Sequence, residues 1–389
     1  MYETIIHSPY ALIGDTLDLK KNVSIEIDKQ GIITSISYNN PEENIQPLKS
    51  DQSTLLIPGL INSHVHIGDS FAKEIGINKE LTEIVAPPFG LKHKLLRQTP
   101  KENIRIGIEK AILEMLSNGI TCFIDFREGG TEGVDLLRNV LKSTSINCLI
   151  YGRFMDESEI ELIFELADGV GLASYDQISI NNKKYLSKSK LDSKKLIACH
   201  FAEKVRDSKL LEDMLKDNLV DVIIHGTKFT KNDLIQIQDK KKSLILCPRS
   251  NGYFGLGFPP ITEILQLGIP ISLGTDNIMV NNVDLFEEMR YLYRILRVLG
   301  SYDKSIQLTS KELLKMVTIN AARNFRIEKK MGSISEGKAA DFFVVDLNAP
   351  NFYTKDLSKS NIYDIIAQRT KSENIKKTYI RGEVVFERN

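Results

Sequence analysis

The stretch LIPGLINSHVH, residues 56–66, decides the fold of this 389-residue chain. It is an apolar run that ends in two histidines separated by one residue. Side chains two apart on an extended strand point the same way, so His64 and His66 are expected to project together from a strand end. Two imidazoles placed in this way are typical ligands of a divalent metal ion.

Seven further apolar runs follow, with segments between them long enough for helices. This rhythm is typical of parallel strands covered by helices. The eight predicted strands are residues 56–66, 120–128, 146–154, 169–176, 195–203, 220–227, 243–251 and 270–277. They predict an α/β fold of the (β/α)₈ TIM-barrel type, in which the carboxyl ends of the strands form the active face.

The two ends of the chain have a different pattern. SIEIDKQGIITSISY, residues 24–38, alternates apolar and polar side chains around a turn, as a hairpin does. ADFFVVDLN (340–348) and KKTYIRGEVVFE (376–387) repeat this alternation. We therefore expect residues 1–55 and 331–389 to form one small β-sandwich domain beside a barrel domain of residues 56–330. The Ser/Lys-rich residues 181–195 predict a solvated loop.

Further metal-binding side chains stand at the ends of other predicted strands. His200 ends the fifth strand, His225 the sixth and Asp276 the eighth. For any single histidine, a hydrogen-bonded core or surface role is the better interpretation. The chain has only six histidines, and four of them lie at barrel-strand ends, so the joint arrangement favours a metal site.

The charge composition indicates which kinds of binding partner are expected. Lys plus Arg and Asp plus Glu both number 51, so the net charge is zero, which argues against nucleic acid and acidic membranes as partners. A small-molecule substrate is expected, and a homo-oligomer stays open. Neither an export signal nor an apolar membrane span is evident, so a cytoplasmic location is expected. The four cysteines lie far apart in apolar segments, which predicts buried, reduced thiols.

The sequence resembles the amidohydrolase superfamily over nearly its whole length. PGLINSHVH is similar to the first-strand signature of that superfamily. ELLKMVTINAARNF (312–325) resembles the helix after the eighth strand, and MGSISEGKAADFFVVD (331–346) resembles the return into the β domain. The strongest similarity is to the branch of cytosine, guanine and S-adenosylhomocysteine deaminases, which shares an HxxE motif on strand five, here HFAE at residues 200–203.

The resemblance implies a metal centre that activates water. Its ligands would be His64, His66, His200 and Asp276, while His225 would orient the water or the substrate. Glu203 would carry a proton to the leaving group, and Asp276 would also accept the proton of the water. Strand four, GVGLASYD, ends without the lysine that bridges two metals in other members. One divalent ion is therefore expected, with zinc favoured and iron as the alternative.

Four more residues are candidates for substrate binding. Arg127, Arg153 and Arg249 end strands two, three and seven, and Asn251 lies beside the last of them. Arginines at the mouth favour an anionic substrate, although pairing of each with a local carboxylate is about equally expected. Asp69 and Lys73, after the first strand, are candidates for the entrance of the pocket, but an exposed charged loop is the favoured interpretation for both.

Three functions fit these residues. The first is deamination of a cyclic amidine or nucleobase-like small molecule with release of ammonia. The second is ring-opening or amide cleavage of the imidazolonepropionase or N-acyl type, which uses nearly the same residues. The third belongs to another class, a non-catalytic scaffold descended from such enzymes, and retention of all four ligands and Glu203 argues against it.

Overall fold

The computed structural model describes residues 4–40, 54–299, 308–355, 357–358 and 361–388. Its strands are β1 (Thr4–Ile13), β2 (Asp18–Ile27), β3 (Ile33–Asn39), β4 (Thr54–Pro58), β5 (Leu60–His66), β6 (Ile120–Arg127), β7 (Asn147–Gly152), β8 (Gly169–Leu172), β9 (Leu196–Phe201), β10 (Val222–His225), β11 (Ser243–Leu246), β12 (Ile271–Leu273), β13 (Asp276–Asn277), β14 (Phe342–Asp346), β15 (Ile375–Ile380) and β16 (Glu383–Glu387). Its helices are α1 (Leu81–Val85), α2 (Leu91–Gln98), α3 (Lys101–Ser117), α4 (Gly130–Leu141), α5 (Ile160–Leu166), α6 (Ile180–Ser193), α7 (Ser208–Asp217), α8 (Lys231–Asp239), α9 (Pro248–Tyr253), α10 (Ile261–Gln266), α11 (Leu285–Val298), α12 (Ser310–Met316), α13 (Ile319–Asn324) and α14 (Ile362–Arg369).

Strands β5 to β13 form a parallel sheet in the order β12–β11–β10–β9–β8–β7–β6–β5–β13. The sheet curls, because β13 follows β12 after only two residues and pairs with β5 at the other end. Helices connect most of the strands, as the spacing predicted. The predicted α/β class is confirmed, and the curled parallel sheet is consistent with a TIM-like barrel.

The eighth predicted strand, residues 270–277, is interrupted between β12 and β13. A side chain at Gly274 would collide with the first strand, since a Cβ there would lie 2.6 Å from Cβ of His64. Asn62 secures the interruption from β5. Its amide donates to the Thr275 hydroxyl at 2.7 Å, and its carbonyl oxygen accepts from the Thr275 backbone N–H at 3.0 Å. The chain therefore turns next to the metal-ligand candidates.

The remaining strands form a second sheet in the order β16–β15–β14–β4–β1–β2–β3. The predicted hairpins are present as β2–β3 and β15–β16. A two-sheet sandwich is not confirmed, because strands from both ends of the chain lie in this one sheet. The division into a terminal domain and a barrel domain stays a prediction.

The first predicted barrel strand is too long at its start. Residues 56–58 belong to β4 of the second sheet, and the barrel strand begins at Leu60. Pro58 lacks a backbone N–H, and a Cβ at Gly59 would lie 2.0 Å from the Thr121 hydroxyl oxygen. Pro58 still pairs with Phe342 of β14, and the Gly59 N–H donates to the Asp341 carbonyl, whereas the Leu60 N–H donates to Gly119 beside β6, so the chain changes sheets between Gly59 and Leu60.

Two predictions about helices need correction. Residues 181–195 lie mostly in α6 and not in a loop, because the Ser179 hydroxyl caps the helix by accepting from the Asn182 N–H and Leu186 is buried beneath it. Residues 312–325 form two short helices, α12 and α13, separated at Val317 and Thr318. No described helix combines the length and the hydropathy that a bilayer span requires.

The prediction of buried cysteines is confirmed for three of the four. Cys122, Cys199 and Cys247 are buried, Cys148 is half-buried, and all four thiols are free. Burial raises the pKa of each thiol, which disfavours the reactive thiolate.

We predict that Asn62→Ala destabilises the fold by about 1–3 kcal/mol, because the buried Thr275 N–H and hydroxyl lose their partner. The urea midpoint of unfolding measures this loss. Asn139→Ala, on the exposed face of α4, is the matched control and should change stability by less than about 0.5 kcal/mol. An Asn62→Ala midpoint equal to that of the control would contradict the assigned role.

Candidate active site

Five side chains from four strands meet at the carboxyl ends of the curled sheet. β5 carries His64 and His66, β9 carries His200, β10 ends at His225 and β13 begins at Asp276. The rings of His64 and His66 have centroids 4.9 Å apart, those of His64 and His200 4.9 Å, and those of His200 and His225 5.5 Å. The structure thus brings together all of the sequence-predicted metal ligands and His225.

Backbone carbonyls orient two of the imidazoles. Nδ1 of His66 lies 3.0 Å from the carbonyl oxygen of Phe126, and Nδ1 of His200 lies 2.8 Å from that of Leu172. Each Nδ1 therefore carries the proton as a donor, which leaves Nε2 with a free lone pair. This tautomer is the one that metal-binding histidines usually adopt when an outer partner holds Nδ1.

The possible ligand atoms form two overlapping groups, within each of which all atoms lie within 4.8 Å of one another. One group is His64, His66 and His200, and the other is His64, His225 and Asp276. Burial lowers the pKa of His64 to about 3 and also lowers the pKa of His66 and His200. The imidazoles are therefore neutral near pH 7, as metal coordination requires.

Asp276 supplies the negative charge of the cluster. Its Oδ1 lies 3.2 Å from Nε2 of His64 and accepts from the Asn277 amide at 2.9 Å, while Oδ2 accepts from the Ser250 hydroxyl at 2.5 Å. Burial opposes ionisation, but the contacts with His64 outweigh it and hold the pKa of Asp276 well below its usual range. Three neutral imidazoles beside a fixed carboxylate form a donor set suited to a divalent cation.

Glu203 lies beside His225 at the edge of this cluster. Its Oε1 is 3.6 Å from Nε2 of His225, and its side chain is only 17% exposed, so Glu203 is not a surface residue. Burial raises the pKa of Glu203, which favours the proton-carrying form. Asn251 does not reach the pocket but holds His225, with its Nδ2 3.3 Å from Nδ1 of that ring.

A cavity of about 180 Å³ opens over these groups. Residues 81–92, which we call the covering segment, line one side of this cavity. The lining residues come from α1, from the turn after it, and from Lys92 at the start of α2. Glu203, His225 and Asp276 also line this cavity. Two larger cavities, of about 1050 and 820 Å³, lie at the amino ends of the strands and contain none of the clustered histidines. The chemistry therefore points to the smaller cavity.

The three strand-end arginines do not act as one set. Arg153 lines the cavity, and its Nε makes no hydrogen bond with any described residue. Arg127 is buried outside the cavity lining, with its guanidinium 3.4 Å from the Glu128 carboxylate. Arg249 also lies outside the lining, with its Nε 2.6 Å from Glu288. Carboxylate pairing thus occupies two of the three predicted substrate-binding arginines.

Sequence reasoning missed three buried charged residues beside the cluster. Asp69 was expected in an exposed loop but is 1% exposed, and burial raises its pKa to about 8. Lys92 and Glu128 are also buried, with the ammonium nitrogen 2.5 Å from Oε1 of Glu128. No local pattern marks these residues, because their partners lie far away in the sequence. Lys73 is exposed, as expected.

The amidohydrolase family matches residues 55–385, which is most of the chain. This protein belongs to the amidohydrolase family. An uncharacterised protein of Methanocaldococcus jannaschii is 31% identical to it over 394 residues, covering 96% of this chain and 97% of that protein. The family and its deaminase members make this amidohydrolase a hydrolase that acts on carbon–nitrogen bonds.

Two further proteins give the family context. A 5-methylthioadenosine/S-adenosylhomocysteine deaminase of Thermoanaerobacter pseudethanolicus is 24% identical over 417 residues, covering 95% of this chain and 90% of that protein. The crystal structure of an adenosine deaminase from Xanthomonas campestris with bound zinc superposes with a TM-score of 0.80 at 19% identity, covering 98% of this chain and 92% of that one. At 19% identity, the similarity to the adenosine deaminase structure shows only that the fold is shared.

We predict that His200→Ala lowers the zinc content of the purified amidohydrolase to a small fraction of the wild-type value, because one of the clustered nitrogen donors is lost. Elemental analysis measures the content, and circular dichroism checks that the barrel is folded. His7→Ala, on the exposed side of β1, is the matched histidine control. Equal zinc content in the two folded variants would contradict a ligand role for His200.

Proposed function

We propose that this amidohydrolase is a metal-dependent aminohydrolase that replaces the amino group of a cyclic amidine or nucleobase-like small molecule with the oxygen of water and releases ammonia. The observation that carries the proposal is the position of Glu203. Its carboxyl group shares one small cavity with His225 and the histidine–aspartate cluster. A proton carrier is thus within reach of both a water and a leaving group.

His64, His66, His200 and Asp276 would hold one divalent cation, for which zinc is the best candidate. The donor set fits, because the imidazoles are neutral and the carboxylate is ionised before any cation arrives. The cavity lining after β8 is Ala173, where two-metal relatives would need a lysine, so a single ion is favoured. When bound, such a cation lowers the pKa of water toward neutrality and so supplies a nucleophile.

Different side chains would accept and donate the protons of the reaction. Asp276, ionised and held by Ser250 and Asn277, is placed to accept a proton from water. Glu203 has a raised pKa, so it can hold a proton and donate it to the departing nitrogen. His225, fixed by Asn251, is placed to orient the water or the ring. Departure of ammonia is easier after protonation because the neutral amine is a better leaving group than the amide anion.

Arg153 favours a substrate with a negative charge. A buried guanidinium nitrogen without a hydrogen-bond partner among the described residues, as Nε of Arg153 is, is costly, and a carboxylate or phosphate on the substrate would remove that cost through charge-assisted hydrogen bonds. The cavity volume of about 180 Å³ suits a small ring. We therefore place the substrate among small anionic heterocycles that carry an exocyclic amino group.

An ammonia-release screen of the zinc-loaded protein tests the proposed function. The panel should contain nucleobases, nucleosides, pterins and cyclic ureas, with charged and neutral members of each class. Ammonia release from an amino-substituted ring supports the proposal. Ring opening without ammonia release from an exocyclic amine would favour the imidazolonepropionase type instead.

For Glu203→Gln we predict unchanged zinc content and a kcat reduced by at least ~10²-fold, because a positioned proton carrier typically contributes that much. The loss should exceed any change in KM. Glu212→Gln, on the exposed side of α7, is the matched control. Near-normal turnover in Glu203→Gln would remove Glu203 from the reaction.

For Arg153→Ala we predict a loss of about 2–5 kcal/mol in kcat/KM for the anionic substrate and a much smaller loss for its neutral analogue. Arg127→Ala and Arg249→Ala should change kcat/KM for the two substrates by the same factor, since carboxylates already pair both arginine side chains. If Arg153→Ala also treats them alike, the preference for an anion is wrong.

A further inference from the structure

Lys92 is buried in the wall of the active cavity, although an ammonium group is normally exposed to solvent. Its side chain is 2% exposed, and it enters from the start of α2 in the covering segment. A buried cation is costly unless charged or polar groups surround it. Three such groups do so, and two of them belong to residues that contact the metal-ligand candidates.

The first contact leads to His66. Nζ of Lys92 lies 2.5 Å from Oε1 of Glu128, and the same oxygen lies 2.7 Å from Nδ1 of His66. Glu128 therefore links the Lys92 ammonium to the edge of the His66 ring at which Nδ1 donates to the Phe126 carbonyl, and Nε2 of His66 stays free.

The second contact leads to Asp276. Nζ of Lys92 donates to the amide oxygen of Asn277 at 2.8 Å, and the amide nitrogen of Asn277 donates to Oδ1 of Asp276 at 2.9 Å. With its oxygen held by a cation, Asn277 can present only its N–H groups to the carboxylate. Asp69 completes the surroundings, with Oδ2 3.8 Å from Nζ.

We propose that Lys92 is a positioning residue for the metal centre, which fixes the orientation of His66 through Glu128 and of Asp276 through Asn277. The proposal rests on the proposed function only in taking the histidine–aspartate cluster to hold a cation. The covering segment would then do more than line the cavity. It carries the Lys92 ammonium group, which would orient His66 of β5 and Asp276 of β13. Outer partners of metal ligands typically influence metal affinity by 10–100-fold.

The test is transfer of zinc from the loaded protein to a competing chelator. Lys92→Met, which keeps the length of the side chain but removes the donors, should bind zinc roughly 10- to 100-fold more weakly than the wild type. Lys94→Met is the matched control, since Lys94 lies on the same helix but is exposed, and its zinc affinity should not change. If Lys92→Met does not fold, Lys92→Gln answers the same question by the same measurement.

Two further measurements separate positioning from a role in stability alone. The visible absorption bands of the cobalt-loaded protein should shift in the Lys92 variant and stay unchanged in Lys94→Met. Glu128→Gln should also weaken zinc binding, and adding it to Lys92→Met should cause less than the product of the two separate losses, since both changes break one path.

A folded Lys92 variant with wild-type zinc affinity and wild-type cobalt bands would overturn the proposal, even if its melting temperature were lower. Failure of the ammonia screen has a different meaning. If no substrate releases ammonia while Lys92→Met binds zinc weakly, the proposed function is wrong and the positioning role stands.

Discussion

The candidate site depends on the pairing of β13 with β5. This pairing places Asp276 opposite Val65, between the two histidines of the first barrel strand. Without it, Asp276 would lie at one edge of the sheet, and His64 and His66 would lie near the other. The interruption at Gly274 and the hydrogen bonds from Asn62 allow the last strand to reach the first at the level of the ligands. The same strand pairing therefore joins the two ends of the sheet and brings Asp276 to the histidines.

Burial then determines the protonation states of the assembled groups. Desolvation lowers the pKa of His64, His66 and His200, whereas contact with His64 holds the pKa of Asp276 well below its usual range. The backbone has unusual conformations at the same places, with positive φ at His225 (73°) and Asp276 (62°). Such conformations in residues other than glycine cluster at functional sites, where the surrounding structure enforces them. The amidohydrolase thus maintains a donor set with fixed charge and direction.

The covering segment connects this donor set to the cavity that a substrate would enter. Its apolar residues wall the cavity, and its one buried ammonium group contacts the outer partners of two ligands. Arg153 lines the same cavity, and its Nε has no hydrogen-bond partner among the described residues. Metal positioning and recognition of substrate charge would therefore be separate tasks of two cationic side chains that line one cavity.

Much of this arrangement could be predicted from the sequence. His64, His66, His200, His225 and Asp276 each follow an apolar run, and the rule that parallel strands end at one edge is enough to bring them together. The sequence could not distinguish Arg153 from Arg249, because the carboxylate that pairs Arg249 lies 39 residues away on α11. Lys92 was missed for the same reason, since Glu128 and Asn277 become its neighbours only after folding. Residues 181–195 were misassigned because their polar composition concealed a helix held by one cap and one buried leucine.

The most direct test of the account is anomalous X-ray scattering at the zinc edge from crystals of the zinc-loaded protein. We expect one zinc site per chain, bonded to Nε2 of His64, His66 and His200 and to the Asp276 carboxylate, with the Lys92 ammonium still between Glu128 and Asn277. A second zinc beside Asp69 and Glu128, or a single zinc that leaves His200 or Asp276 unbound, would contradict it.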